Sequence, residues 1–499
     1  MNLNKLLLFA SGLAIIIFFL TGKYACCFIL ASAAVCFFLN MQSRHFVPAA
    51  VLFLTPLERR APVIPLSIEN IVYAKYLITL FLILLWFLEY GKKRNFLKKR
   101  PFVRIWIFGF SLLVIITTIA SYNYMISLKG ILSLFIGFVT FILFYEYLSR
   151  VENIKKIFFA FLIITTALCL TVVLQYVIMK YNKLLFLEKF IISPDLRLFS
   201  RLENLLDVTS PVRVNGTFGH PNALGFYLIY LFFIILPALF IKMKNTSMKI
   251  LTALAAFLCC LAIYATNSRS IIIGSALGTS VIFLFYFKKR FILPSIMAVL
   301  LISSIFLFVP FPQSSVEKYF RVKSGISERD IIWKTAWSFF VKKPFLGYGL
   351  DSYYFLYSEL EGPPLAGDFN QFLLDLISIK KLGYIADNVV LWTRPTPHNM
   401  YLTALLDMGI PGLVFICAFF YYLFSSSVKL LMGLSGKPYS LLTAASATCT
   451  GLFAAIIFRG FFEFSGFYKQ PFECTMLSLI IALLFVTQEA VHGEHEHAL

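Results

Sequence analysis

The sequence predicts an all-α integral membrane protein with about 12–14 transmembrane helices. Hydrophobic residues make up 60% of the chain and charged residues only 14%, whereas soluble chains carry about 45–50% apolar and about 25% charged residues. Apolar stretches recur along the whole chain, and most are about 17–25 residues long, which is the length needed to cross a bilayer. The basic residues fall in short runs between these stretches. Residues 1–499 therefore form a single polytopic membrane domain.

The candidate spans are about fourteen apolar stretches, of which 46–57 is too short to be assigned with the rest. The first stretch has the length of a signal peptide, but it lacks a small-residue cleavage site and further spans follow at once. In chain order the spans are 5–20, 24–40, 46–57, 70–89, 102–121, 126–148, 156–178, 221–241, 249–266, 269–287, 291–310, 398–424, 439–458 and 471–487.

The basic run between Lys92 and Arg100 fixes the predicted orientation, because short loops rich in Lys and Arg stay in the cytoplasm. Counting spans onward from this run places two long loops, 179–220 and 311–397, on the outside, and residues 488–499 in a cytoplasmic tail. The later loops that fall inside are all net basic; they lie around Arg150–Lys156, Lys242–Lys249, Lys288–Arg290 and Lys429–Lys437.

The net charge of +20 would suggest nucleic-acid binding in a soluble protein. Here the positive-inside rule accounts for it, so we predict membrane lipids and no nucleic acid as partners. The nine cysteines include no C-x-x-C pair, and most lie inside apolar spans, where cysteine behaves as a small hydrophobic residue. The sequence therefore indicates no disulfide framework, no metal site and no cofactor.

The first external motif surrounds Arg213, just before the span that begins at 221. An arginine there can grip a phosphate with two hydrogen bonds, and Gly216 beside Asn215 allows a ligand to approach the backbone closely. The alternative is the plain start of a helix with Pro221 in its first turn. This alternative is the stronger one for His220.

Two further arginines lie in predicted external segments. Arg269 follows Ser268 in a tight turn between spans, where an arginine either binds an anion or extends to the lipid headgroups. Arg329 precedes an apparent amphipathic surface helix over 330–340 that contains Trp333. A cation at a helix start is unfavourable, which suggests an acidic partner or an anionic ligand.

The most informative stretch contains His398 and Asn399, where the outer loop ends and a long apolar helix begins. Two preceding prolines predict an extended backbone at this point. A neutral imidazole there can act as a general base; the alternative is a membrane-interface histidine bound to headgroups or water. Asp407 lies nine residues on, about 900° around the helix and so on its opposite side. We therefore expect Asp407 to bind an arginine or another group, and not to orient His398.

The order of these features resembles the O-antigen ligase and O-antigen polymerase superfamily over roughly residues 210–460. The corresponding residues are Gly216-Thr217-Phe218 with Pro221-Asn222, Ser268-Arg269, Arg329 with Trp333, Pro344 with Gly347 and Gly349, and the run from His398 to Gly412. Asp407 stands where the family commonly has glutamate, so its role is open. The first 200 residues match only in their hydrophobicity.

The resemblance implies a glycosyltransferase similar to the membrane enzymes of the C type, at the periplasmic face of a bacterial inner membrane. Its implied reaction is an inverting, metal-independent transfer of a glycan from an undecaprenyl-pyrophosphate donor to a saccharide or lipid A-core hydroxyl. His398 would activate the acceptor and three arginines would bind pyrophosphate, namely Arg213, Arg269 and Arg329. The supporting residues would be Asn215, Gly216, His220, Ser268, Trp333, Gly347, Gly349, Asn399 and Asp407.

Two alternatives remain for the function. The first is a polymerase that extends lipid-linked repeat units, which shares the donor and the site and differs in the acceptor. The second is a transporter of lipid-linked sugars. The second is less favoured, because transporters keep ionisable residues within the membrane along the path of the substrate, and these spans are nearly free of charge at their centres.

Overall fold

A computed structural model of the chain describes thirteen segments of it, which are 48, 51, 100–121, 124–181, 213–216, 218, 221–241, 245–287, 327–353, 356, 397–435, 439–463 and 471–496. Within these residues the protein is all α, with ten helices and no strand. The helices are α1 (Pro101–Ile119), α2 (Tyr124–Leu148), α3 (Val151–Tyr181), α4 (Pro221–Ala238), α5 (Thr246–Ala265), α6 (Arg269–Phe287), α7 (Ser327–Lys342), α8 (Met400–Leu434), α9 (Leu441–Arg459) and α10 (Pro471–Glu496).

The predicted fold class is confirmed. Of the ten described helices, all except α7 are long and apolar enough to cross a membrane. These nine coincide with the nine predicted spans that fall on described residues. The other five predicted spans, 5–20, 24–40, 46–57, 70–89 and 291–310, lie outside the described residues, apart from Pro48 and Val51, which are helical.

The helices begin where local chemistry satisfies their first N–H groups, which have no partner within the helix. Asn399 caps α8: its Oδ1 accepts from the N–H groups of Tyr401 and Leu402 at 3.0 and 2.9 Å. Asn245 caps α5 in the same way, and Ser440 caps α9. α1 begins with a proline, which has no N–H to satisfy.

α9 lies at the centre of the described bundle. It packs against α4, α6, α8 and α10, and most of its residues are buried. The helices approach closely at glycines: a Cβ on Gly278 of α6 would lie 2.3 Å from the Gly451 carbonyl oxygen of α9. Small residues allow such contact in membrane proteins, where apolar lipid gives helices little hydrophobic reason to associate.

The helix ends fall at two opposite ends of the bundle, and polar bonds tie together the end that is predicted to be cytoplasmic. Arg100 donates from Nη1 to Gln488 Oε1 at 2.7 Å, and Tyr145 donates to Glu489 Oε1 at 2.6 Å. These bonds join the start of α1 and the end of α2 to the last turns of α10. The last helix continues through the predicted tail boundary at 488 and ends at Glu496.

α8 is broken in its first third. Gly409 has φ 69° and ψ −165°, and Pro411 follows it, so the N–H that would bind the Asp407 carbonyl does not exist. The loop after α7 supplies the missing partners: Tyr348 N–H donates to Leu406 O at 2.8 Å and Gly349 N–H to Asp407 O at 3.0 Å. In return, Ile410 N–H donates to Pro344 O at 2.8 Å. These three bonds pair the Leu406 and Asp407 carbonyls and the Ile410 N–H, which apolar surroundings could not satisfy.

The two ends of the bundle provide a matched test of the predicted orientation. Ser338 in α7 and Ser247 in the first turn of α5 are both exposed and lie at opposite ends. In a chain whose nine cysteines are replaced by serine, an impermeant thiol reagent applied to spheroplasts should label Ser338→Cys and leave Ser247→Cys unlabelled until the cells are lysed. The opposite labelling pattern would overturn the predicted orientation.

Candidate active site

The residues singled out from the sequence gather at the end of the bundle that carries the N-termini of α4, α6 and α8 and the C-termini of α5 and α9. We call this end the site face. The segment Arg213–Gly216 joins it through a backbone bond from Val214 N–H to Ala265 O at 3.1 Å. Residues far apart in sequence therefore meet at helix ends, outside the apolar centre of the bundle.

His398 binds a carboxylate at the site face. Its Nδ1 lies 3.1 Å from Glu463 Oε2, just beyond the C-terminus of α9. The Glu463 side chain is 7% exposed and that of His398 is 37% exposed, so the acid is buried behind a histidine that reaches the surface. Because a carboxylate accepts a hydrogen, a neutral imidazole in this position donates from Nδ1, which leaves Nε2 as the acceptor.

The backbone of His398 departs from the sequence prediction. Two preceding prolines predicted an extended residue, but φ is +46°, a left-handed conformation that is uncommon for residues other than glycine. Neighbouring bonds hold it: Trp333 donates from Nε1 to Pro397 O at 2.7 Å, and Met400 N–H donates to Gly460 O at 2.7 Å. Asn399 adds a bond from Nδ2 to Phe461 O at 3.1 Å.

A series of hydrogen-bonded side chains leads from Glu463 to Arg213. Asn222, the second residue of α4, donates from Nδ2 to Glu463 Oε1 at 2.7 Å. Its Oδ1 accepts from Arg213 Nη2 at 2.9 Å, and Arg213 Nε donates to Thr266 O at 3.3 Å. Both carboxylate oxygens of Glu463 are thus occupied, and the histidine is linked to Arg213 through two residues.

Arg459, in the last turn of α9, contacts this series of side chains at Asn222. It is 3% exposed, its guanidinium stacks 4.2 Å from the centre of the Phe226 ring, and Nη2 donates to Asn222 O at 3.4 Å. The Glu463 N–H in turn donates to Arg459 O at 2.9 Å. Arg459 is thus bonded through its guanidinium to Asn222 and through its backbone carbonyl to Glu463.

The glycines have protein partners at the site face. Gly216 has φ +54°, and its N–H donates to Gln175 Oε1 at 3.2 Å, so this group is bound by α3 and is not presented to a ligand as the sequence suggested. Gly347 and Gly349, also at positive φ, contact the broken turn of α8. There a Cβ on Gly347 would lie 2.4 Å from Leu406 O.

The remaining predicted residues divide into two groups. Asn215 is half-buried, Ser268 is buried, and Arg269 is exposed at the N-terminus of α6. Arg329 lies in the first turn of α7, but its side chain is outside the described part of the chain, as is the whole of His220. The structure thus brings His398, Asn399, Arg213 and Trp333 into one bonded assembly and leaves the contribution of Arg329 as a prediction.

Asp407 is fully buried at the break in α8, and the carboxylate bound to His398 is that of Glu463. The sequence analysis excluded Asp407 as the residue that orients His398 and named no other carboxylate for that role. Sequence reasoning missed both Glu463 and Arg459. Their signal was their position: they are charged residues directly after the span 439–458, at the end of that span which the topology places outside.

Residues 254–417 match the O-antigen ligase family. The matched range contains Arg269, Trp333, the two glycines of the α7–α8 loop and His398, so the resemblance drawn from the motifs is confirmed. Arg213, Asn222 and Glu463 lie outside it. No curated protein matches the chain.

The family match indicates a ligase- or polymerase-type role on a lipid-linked glycan in a membrane. A histidine fixed by a carboxylate, with its second nitrogen directed away from that carboxylate, is suited to accept a proton from a hydroxyl. An arginine linked to the same assembly is suited to bind an anion. Together these groups suit a transfer reaction in which a hydroxyl attacks and an anionic group leaves.

Asn222→Asp should destabilise the protein in a pH-dependent way. The new carboxylate would lie about 2.7 Å from Glu463 Oε1, and like charges at that distance raise the pKa of one of the two groups. Because the folded pair holds a proton that the unfolded chain releases, the stability difference from wild type should be small near pH 5 and grow towards pH 8. Thermal unfolding in detergent at both pH values measures this; an equal loss at both would contradict the Asn222–Glu463 contact.

Proposed function

We propose that this protein transfers a glycan from an undecaprenyl-pyrophosphate donor to an acceptor hydroxyl at the periplasmic face of a bacterial inner membrane. The observation that carries the proposal is the contact between His398 Nδ1 and Glu463 Oε2 at 3.1 Å. It lies in an assembly that also contains Arg213 and Asn222. The family match over residues 254–417 supports the class of reaction.

His398 acts as the general base. Its Nε2 accepts the proton of the acceptor hydroxyl as the oxygen attacks, which makes the oxygen a stronger nucleophile. The side chain is 37% exposed, so a large acceptor can reach it from outside the bundle. The left-handed backbone and its neighbouring bonds fix the direction of the ring before substrate binds.

Glu463 orients the base and stabilises the imidazolium that forms when His398 takes the proton. A carboxylate bound to Nδ1 fixes the tautomer that leaves Nε2 unprotonated, as in serine hydrolases. Asn222 holds the other carboxylate oxygen at 2.7 Å and so prevents the carboxylate from rotating away. Burial of Glu463 strengthens its interaction with the positive charge on the ring.

The chemical step is one displacement at the anomeric carbon. A bond forms from the acceptor oxygen to this carbon while the bond to the pyrophosphate oxygen breaks, and its electron pair stays on the pyrophosphate. The acceptor proton ends on His398 Nε2. Attack from the face opposite the leaving group inverts the anomeric configuration, and no metal is needed if cations of the protein stabilise the departing charge.

Arginines supply that positive charge. Arg213 binds the Thr266 carbonyl at 3.3 Å and so lies beside the turn that carries Arg269. Arg269 is exposed at the N-terminus of α6, where the helix dipole adds to its attraction for an anion. We assign the pyrophosphate to Arg213 and Arg269, with Arg329 assisting from α7.

The acceptor decides between ligation and polymerisation. Both reactions need the same donor, base and arginines, and differ only in whether the hydroxyl belongs to lipid A-core or to a second lipid-linked glycan. We take the ligase as the leading assignment and the polymerase as its alternative, and the family match is compatible with both. A ladder of lipid-linked glycans formed without lipid A-core would identify the polymerase, and lipid translocation without bond formation would identify a transporter.

His398→Ala should lower kcat for glycan transfer by about 10²–10⁴-fold, because the general base is lost, while donor binding is kept. Glu463→Gln should lower kcat at least about tenfold, since an amide permits the wrong tautomer. The assay is transfer from lipid-pyrophosphate glycan by protein in proteoliposomes, with donor affinity measured separately. Glu152→Gln is the matched control, because Glu152 is exposed in the first turn of α3 at the far end. Wild-type turnover in His398→Ala would refute the assignment.

A further inference from the structure

Residues Trp333–Leu350, which comprise most of α7 and the loop after it, lie along the first turns of α8. We call this segment the splint. Its contact with α8 is apolar and continuous: Ala336, Phe339 and Tyr348 are buried against Leu405 and Leu406. This side of α7 is therefore held by α8 through packing, next to the site at the start of α8.

Backbone hydrogen bonds join the C-terminal end of the splint to the break in α8. Tyr348 N–H, Gly349 N–H and Ile410 N–H all cross between the two segments at 2.8–3.0 Å. The approach is so close that only glycine fits: a Cβ on Gly347 would lie 2.4 Å from Leu406 O, and one on Gly409 would lie 2.4 Å from Phe345 O. The splint and the broken turn are thus in direct backbone contact.

One side-chain hydrogen bond holds the N-terminal end of the splint. Trp333 Nε1 donates to Pro397 O at 2.7 Å, one residue before His398. The splint is thus attached at Pro397, just before α8, and at Leu406 near the break. The apolar contact lies between these two points. The splint touches neither His398 nor Glu463 through any bond described above, so its effect on them is indirect.

The histidine needs such support. Its φ of +46° is unfavourable for a residue with a Cβ, so the surrounding bonds must hold it. Its partner Glu463 belongs to a different helix, α9, and the 3.1 Å contact depends on where the start of α8 lies relative to the end of α9. A shift of about 1 Å at a reacting group can cost about 10²-fold in rate.

We propose that the splint positions His398 against Glu463, and that Trp333, Gly347 and Gly409 are positioning residues for the transfer reaction. This inference rests on the proposed function, which it deepens. Gly347 and Gly409 allow the backbones of the splint and α8 to approach each other closely. Trp333 binds the splint to Pro397, the residue before His398. Their proposed role is exerted through His398 and requires no contact with the donor or the acceptor.

The test compares Trp333→Phe and Gly347→Ala with Gly433→Ala. Phenylalanine keeps an aromatic ring and removes the Nε1 donor, so it disturbs packing least. Gly433 lies in the same helix as the break, and a Cβ there meets nothing within 4 Å, which makes it the matched control. Two quantities are measured in each variant: amide hydrogen exchange of peptides that cover 397–410, and kcat and KM for glycan transfer.

In Trp333→Phe we expect exchange to rise about tenfold near Asn399–Leu402, as one hydrogen bond is lost, and kcat to fall about tenfold with KM for the donor within about twofold of wild type. In Gly347→Ala we expect faster exchange around Leu406–Ile410 and a decrease in kcat of about 10²-fold. Gly433→Ala should change neither quantity. A split between kcat and KM distinguishes positioning from general loss of structure.

Two results would overturn the inference: exchange that is unchanged in Trp333→Phe, or exchange that rises while kcat stays at the wild-type value. Failure of the proposed function gives a different result, since the wild-type protein itself would then transfer no glycan. In that case hydrogen exchange alone decides the structural role. A local increase confined to 397–410 in both variants supports the splint, and its absence refutes it.

Discussion

The hydrogen bond between His398 and Glu463, 3.1 Å long, is the contact on which the arrangement of the site depends. One partner precedes α8 and the other follows α9, so the bond exists only if the two helices pack with the right rotation and depth. It also decides the chemistry of the ring, because a donor at Nδ1 leaves an acceptor at Nε2. Asn222 and Arg213 extend it to α4 and to the α5–α6 turn.

The membrane explains why this site is built from helix ends. Within the apolar layer every backbone group must find a partner inside the protein, so polar side chains and irregular backbone are tolerated where helices start, end or break. The break in α8 follows the same rule, since the loop after α7 takes up the groups that Gly409 and Pro411 leave open. Gly347 and Gly409 are therefore places where two backbones meet.

Hydropathy alone predicted the nine described membrane helices, because length and apolar composition nearly determine a span. Helical spacing also separated Asp407 from His398. It could not find Glu463, which is 65 residues from His398, since their contact depends on how α8 and α9 pack and no local pattern encodes that. The left-handed backbone of His398 was missed for a similar reason: the two prolines favour an extended residue, and tertiary bonds to Pro397, Asn399 and Met400 override them.

The tautomer of His398 can be measured by ¹⁵N nuclear magnetic resonance. In protein labelled with ¹⁵N-histidine and embedded in nanodiscs, the His398 signals are assigned by their loss in His398→Gln. At a pH where the ring is neutral, we expect a protonated Nδ1 bound to Glu463 and an unprotonated Nε2, with this preference lost in Glu463→Gln. A wild-type ring protonated at Nε2 and unprotonated at Nδ1 would rule out the proposed base, because a protonated Nε2 cannot take the proton of the acceptor hydroxyl.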